Sequence, residues 1–146
     1  MKIRVKERGN DMTRINIARI MIPKPLTRVL HESDTVRQAL ETMENHGFTA
    51  IPVLDNEERY IGCVTEGDFL RHVLRVGDTD KRTHEHFLVG ELVRKDFCEA
   101  ISITAETSDV VRTILNQNFV PVVDDRNVLC GILTRKGVIQ ELAEDV

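Results

Sequence analysis

Two stretches of this sequence carry nearly the same pattern. Ile51-Pro52-Val53-Leu54-Asp55 is answered by Val120-Pro121-Val122-Val123-Asp124, and the offset of 69 residues persists. Gly62 maps onto Gly131, Thr65 onto Thr134, Phe69 onto Val138 and Leu70 onto Ile139. A duplication at constant offset constrains the fold more than any single motif does. Each copy is one supersecondary unit too small to bury its own apolar face, so two copies are expected to pack on one another through their sheets.

Each copy reads as helix, strand, strand, helix. In the first, Val36, Ala39, Leu40 and Met43 recur at i, i+3, i+4 and i+7, the stripe of an amphipathic helix. Ser33 or Asp34 can cap its start, and Gly47 suits its left-handed end. Ile51 to Leu54 and Tyr60 to Val64 are β-rich runs around the polar turn Asp55 to Arg59. A second helix places Phe69, Leu70, Val73 and Leu74 on one face. The second copy repeats the plan with a stripe of Val110, Val111, Ile114 and Leu115, then strands over Val120 to Val123 and Val128 to Leu133. Val138, Ile139 and Leu142 form its closing helix. The expected organisation is an N-terminal arm over 1–18, repeat one over 19–76, a linker over 77–90 and repeat two over 91–146. The arm is highly charged at 1–11 and expected to be partly disordered.

Composition narrows the function classes. With 146 residues, 41% hydrophobic, the chain can form a core that buries roughly 70% of its unfolded surface. A net charge of −4 argues against a duplex-binding face, and six aromatics without a Trp argue against a base-stacking platform. The alternating Lys2, Arg4, Lys6 and Arg8 read as an unstructured basic arm before a nucleic-acid contact. No apolar run reaches the roughly 18 residues of a membrane span, and the start lacks the apolar core of a signal peptide, so a cytoplasmic location without membrane contact is expected. Cys63, Cys98 and Cys130 are odd in number and widely spaced; Cys63 and Cys130 read as buried reduced thiols. His84, Glu85 and His86, with His72 upstream, sit in or near a linker that rarely preorganises a metal site. No nucleophile–base pair or paired carboxylates can be argued, so an enzyme is not expected and no cofactor is implied.

Ile20-Met21 and Leu92-Val93 open the two copies. Gly47-Phe48-Thr49-Ala50-Ile51-Pro52-Val53 and Asn118-Phe119-Val120-Pro121-Val122 follow. Gly62-Cys63-Val64-Thr65-Glu66-Gly67-Asp68 and Gly131-Ile132-Leu133-Thr134-Arg135-Lys136-Gly137 close them. In this order and spacing the repeat resembles a CBS domain, and the chain from about residue 19 onward resembles a tandem CBS pair, the Bateman module. The resemblance implies an α/β (α+β) fold of two β-α-β-β-α repeats, related by a pseudo-two-fold and assembling as a disc-like homodimer. It leaves no stretch of this sequence for a catalytic domain.

The resemblance also implies an adenine nucleotide in clefts between the repeats. One cleft would join Thr65 and Asp68 to Asn118, Phe119, Val120 and Pro121, with Asp68 accepting from ribose hydroxyls and the backbone beside Pro121 reading the adenine edge. Thr65-x-x-Asp68 is equally a helix capping box that needs no ligand. The other cleft would join Phe48, Thr49, Ala50 and Pro52 to Thr134, Arg135 and Lys136, with Lys24 or Arg28 adding charge. There Gly137 replaces the ribose-binding Asp, which disfavours an ordinary mononucleotide, while two cations at a helix start suit phosphates. Gly47 to Asp55 and Thr134 to Lys136 are similar to small bacterial CBS proteins that bind cyclic di-AMP. The expected function is a regulatory module that binds cyclic di-AMP or AMP, ADP or ATP and signals to an unidentified target protein. A ligand-free dimerisation or docking module is the alternative.

Overall fold

The computed structural model describes residues 14–46 and 50–143. In chain order the elements are α1 (Ile17–Ile20), β1 (Ile22–Pro23), β2 (Leu30–His31), α2 (Val36–His46), β3 (Ala50–Leu54), β4 (Tyr60–Thr65), α3 (Glu66–Val76), β5 (Ile101–Ser102), α4 (Thr107–Asn116), β6 (Phe119–Val123), β7 (Leu129–Thr134) and α5 (Arg135–Leu142). Most of the arm expected over 1–18, and the helix end expected at Gly47, lie outside the described residues. No helix among the described residues is long and apolar enough to cross a membrane.

The chain forms two compact units, and these do not coincide with the repeats in the sequence. One is Arg28–Cys98; the other joins the chain before Arg28 to the chain from Glu99 onward. The first unit holds the sheet β2-β3-β4, with β2 parallel and β4 antiparallel to β3. The second holds β1-β7-β6-β5, in which β5 runs parallel to β6 while β7 and then β1 add antiparallel. Two glycines explain this arrangement. A Cβ at Gly131 would stand 2.2 Å from the Ile22 carbonyl oxygen, and one at Gly62 would stand 2.3 Å from the Arg94 carbonyl oxygen. Only a residue without a side chain lets a distant backbone approach so closely. Ile22 accordingly pairs with Ile132 and Pro23 with Gly131, while Cys63 and Arg94 exchange backbone hydrogen bonds at 3.2 and 3.0 Å.

Each hairpin closes on the same device. Asp55 Oδ1 accepts from the Glu57 and Arg59 amides at 2.8 and 3.0 Å, and Asp124 Oδ1 from the Arg126 and Val128 amides at 2.8 and 3.0 Å. Both turns then place one residue, Glu58 or Asn127, at φ 65°. Each unit has its own core: Val36, Ala39, Ile51, Val53, Val64 and Val89 in one, Val110, Val120, Val122, Leu133 and Val138 in the other. Burying each of these Val, Leu and Ile side chains contributes about 1.5–3 kcal/mol.

Three expectations need correction. Leu70 and Leu74 do not face the core, nor do Leu115 and Ile139; all four are exposed. On α3 the buried positions are Asp68, Phe69 and His72, so the inward stripe is rotated toward two polar residues whose hydrogen bonds are met inside the unit. Cys130 is half-buried; Cys63 and Cys98 are buried, and all three are reduced. Finally, the expected linker carries buried anchors, His84 and Val89, while Glu85, His86 and Leu88 are exposed. His84 is buried against His72 and Phe87, donates from Nε2 to the Asp78 carbonyl at 2.8 Å, and faces His72 Nε2 with its Nδ1 at 3.3 Å. The backbone then docks on the start of α2 through Val36 N to Phe87 O at 2.8 Å and Val89 N to Asp34 O at 2.9 Å.

Two predictions follow from these contacts. Gly131→Ala forces β1 off β7 and lowers stability by about 1–3 kcal/mol in denaturant melts; an unchanged midpoint would show that the close approach is not needed. Burial, then the charges of His84 and Arg75, hold the His72 pKa below its ordinary value of 6.5, with Glu91 acting in the opposite direction. The unfolded chain therefore binds this proton more readily, so the contribution is complete above about pH 6.5 and is lost as pH falls below it. The melting temperature should drop between pH 7.5 and 5.5, and His72→Gln, which keeps a donor for His84 but does not titrate, should flatten that drop. An identical slope in the variant would refute the assignment.

Candidate functional site

In the Arg28–Cys98 unit the candidate residues gather at one end of the β3–β4 hairpin. Ala50 stands opposite Thr65, and Pro52 opposite Cys63. Cys63 directs its N–H and C=O to Arg94, so by antiparallel alternation Pro52 turns its ring nitrogen to the outer edge of β3. There β2 covers only Val53 and Leu54, and the missing donor of Pro52 costs no ladder bond. Thr65 ends β4 and caps α3: its hydroxyl oxygen accepts from the Asp68 amide at 3.2 Å.

Asp68 is 8% exposed and its carboxylate is surrounded by donors. Oδ2 accepts from the Thr65 amide at 2.8 Å and the Thr65 hydroxyl at 3.0 Å. Oδ1 accepts from Arg71 Nη2 at 2.6 Å and Arg94 Nε at 2.7 Å. Burial works to raise this carboxyl's pKa, but the bonds from Arg94, Thr65 and Arg71 together outweigh it and hold the group below the usual carboxylate range. The Arg94 guanidinium lies 4.7 Å over the ring of Phe97, which is half exposed. Sequence reasoning missed both arginines. Arg71 had a local signal, three residues after Asp68 on one helix. Arg94 had only its place in the duplication, two residues after Leu92 as Ile22 is after Ile20.

In the other unit the corresponding hairpin end carries Phe119 opposite Thr134, with the Arg135 amide donating to the Asn118 carbonyl at 3.3 Å. Val120 and Pro121 are buried, Phe119 is half-buried and Asn118 is exposed. Thr134 caps α5 as Thr65 caps α3, accepting from the Gly137 amide at 3.0 Å. Here the two helices diverge, because Gly137 stands where Asp68 stands and brings no carboxylate to the Thr134 amide and hydroxyl. A cavity of about 350 Å³ opens beside it, lined by Arg19, Ile20, Gly137, Gln140 and Glu141. Glu141 is buried and ion-paired with Arg19.

The two cations expected to bind phosphate have different surroundings. Arg135 donates from Nε to the Ile114 carbonyl at 2.9 Å and from Nη2 to the Leu115 carbonyl at 3.1 Å, tying down the C-terminal turn of α4. Lys136 is exposed. Of the remaining candidates, Arg28 is exposed and Lys24 half-buried, while Phe48 and Thr49 lie outside the described residues. Each expected cleft takes one cluster from each compact unit.

Known proteins share this layout. Inosine-5'-monophosphate dehydrogenase of Methanocaldococcus jannaschii is 29% identical over 108 residues, 73% of this chain. The chain spans only 20% of that enzyme. Cyclic di-AMP receptor B of Bacillus subtilis is 22% identical over 138 residues, covering 94% of this chain and 93% of the receptor. Among solved structures, CbpB in complex with c-di-AMP superposes with a TM-score of 0.79 at 22% identity, over 90% of this chain and 88% of that one. CBSX2 in complex with AMP superposes with a TM-score of 0.69 at 25% identity, over 89% and 97%. The CBS domain family model matches residues 17–75 and again 89–144, and with both repeats accounted for, the chain belongs to the CBS domain family.

Proposed function

We propose that this chain is a non-enzymatic regulatory module that binds an adenine nucleotide, with cyclic di-AMP held through its phosphates at the start of α5. The observation that carries this reading is the exchange of a carboxylate for Gly137 at a capped helix start. A helix N-terminus favours an anion, and in α3 Asp68 supplies one from within the chain. In α5 the Thr134 amide and hydroxyl and the exposed Lys136 have no such internal anion among the described residues, so a ligand phosphate is the matching partner. Relatives that bind cyclic di-AMP or AMP support the ligand class.

Arg135 is assigned both to α4 and to the ligand, so Lys136 gives the cleaner test. In calorimetric titrations Lys136→Ala should weaken cyclic di-AMP binding by about 1.5–3 kcal/mol, roughly ten- to a hundred-and-fifty-fold, with the melting temperature unchanged. Gly137→Asp should do the opposite to the fold: it completes a capping box and adds about 1 kcal/mol of stability while abolishing binding. Binding that survives Gly137→Asp would move the phosphates elsewhere.

Asp68, Thr65 and the Asn118 to Pro121 segment are assigned to a mononucleotide, AMP, ADP or ATP, on the same reading. A homodimer is part of the reading too, supported by the exposed Leu70 and Leu74 on α3. Cytoplasmic location and a target protein complete it. Absence of any thermal shift with cyclic di-AMP and with mononucleotides at millimolar concentration would favour the ligand-free docking module instead.

A further inference from the structure

A carboxylate offers about four acceptor positions, and at Asp68 four donors fill them. Two belong to Thr65 and hold the start of α3. The other two converge on Oδ1 from Arg71 and Arg94, side chains that remain substantially exposed. A ribose diol can therefore reach this carboxylate only by displacing a donor. Arg94 is the one that comes from outside the helix, and its backbone is held independently by Cys63, so its side chain can leave while the fold stays closed.

Displacing Arg94 leaves a guanidinium beside the ligand without its counter-ion. A neutral nucleoside offers it nothing. A nucleotide brings its own anion, to which the Arg94 Nη groups, over the face of Phe97, can turn. We propose that Arg94 is a latch on Asp68 that makes this site select phosphorylated nucleosides over nucleosides. The proposal rests on the assignment of Asp68 to a ribose; the cyclic di-AMP assignment at Lys136 and Gly137 does not depend on it.

The test is a pair of calorimetric titrations, AMP and adenosine, on the unaltered protein and on Arg94→Ala, each also titrated with cyclic di-AMP. The unaltered protein should prefer AMP by at least about tenfold, the weight of one charge-assisted hydrogen bond. In Arg94→Ala the ratio should collapse to within about threefold, chiefly because adenosine gains. Arg94→Lys keeps a cation and the backbone bridge, and should retain most of the preference even if the alanine variant proves too unstable to titrate. An AMP-to-adenosine ratio unchanged in Arg94→Ala would overturn the latch. So would a protein that binds neither AMP nor adenosine; if it still binds cyclic di-AMP, the proposed function stands without the latch.

Discussion

Each hairpin is met by a backbone that arrives from elsewhere along the chain, and a glycine is what admits it. At Gly131 the arriving backbone is Ile22; at Gly62 it is Arg94. The consequences reach well past the two strands. The first approach draws α1 and β1 onto the hairpin of the second repeat, bringing Ile20 and Arg19 to the cavity beside Gly137. The second fixes the main chain at Arg94, so that its side chain can meet Asp68. Both candidate clusters thus owe their neighbours to contacts that only a missing side chain permits.

Against that common frame, the two helix starts show how a duplication diverges. Thr65 and Thr134 cap in the same way, on equivalent strands, with the third helical residue in the same place. In one copy that residue is an aspartate tied to two arginines. In the other it is a glycine next to a polar cavity. The electrostatic character of the position is changed by a single residue: one helix start holds a carboxylate on its cap, and at the other the third helical residue brings none.

Much of this was readable from the sequence, and the parts that were not share a cause. The hairpins were legible because Ile51 to Asp55 and Val120 to Asp124 carry strong β-formers up to a turn that Asp55 or Asp124 stabilises locally. The Thr65–Asp68 cap was legible because its partners are three residues apart. The inward face of α3 was misjudged because a leucine reads as core, whereas the buried His72 is admitted by His84, a partner twelve residues away. The recruitment of β1 by β7 gave no local sign, since two residues carry no periodicity. The arginines around Asp68 were missed for the same reason in one case, since Arg94 has no neighbour in the chain that announces it.

The discontinuous unit also imposes an order of events on a growing chain. The Arg28–Cys98 unit has all its strands once Cys98 has been made, and it can close while synthesis continues. Ile22 is made 110 residues before its partner Ile132. At ribosomal rates of about 5–20 residues per second, β1 stays without its sheet for roughly 5–20 s. In the last part of that interval, after Cys98, the ribosome presents a finished inner unit preceded by a largely apolar segment, Ile15 to Ile22, whose partner strand is not yet made. The long side of this fold is therefore temporal as much as spatial: Ile22 waits for a partner 110 residues further along before its strand can be paired.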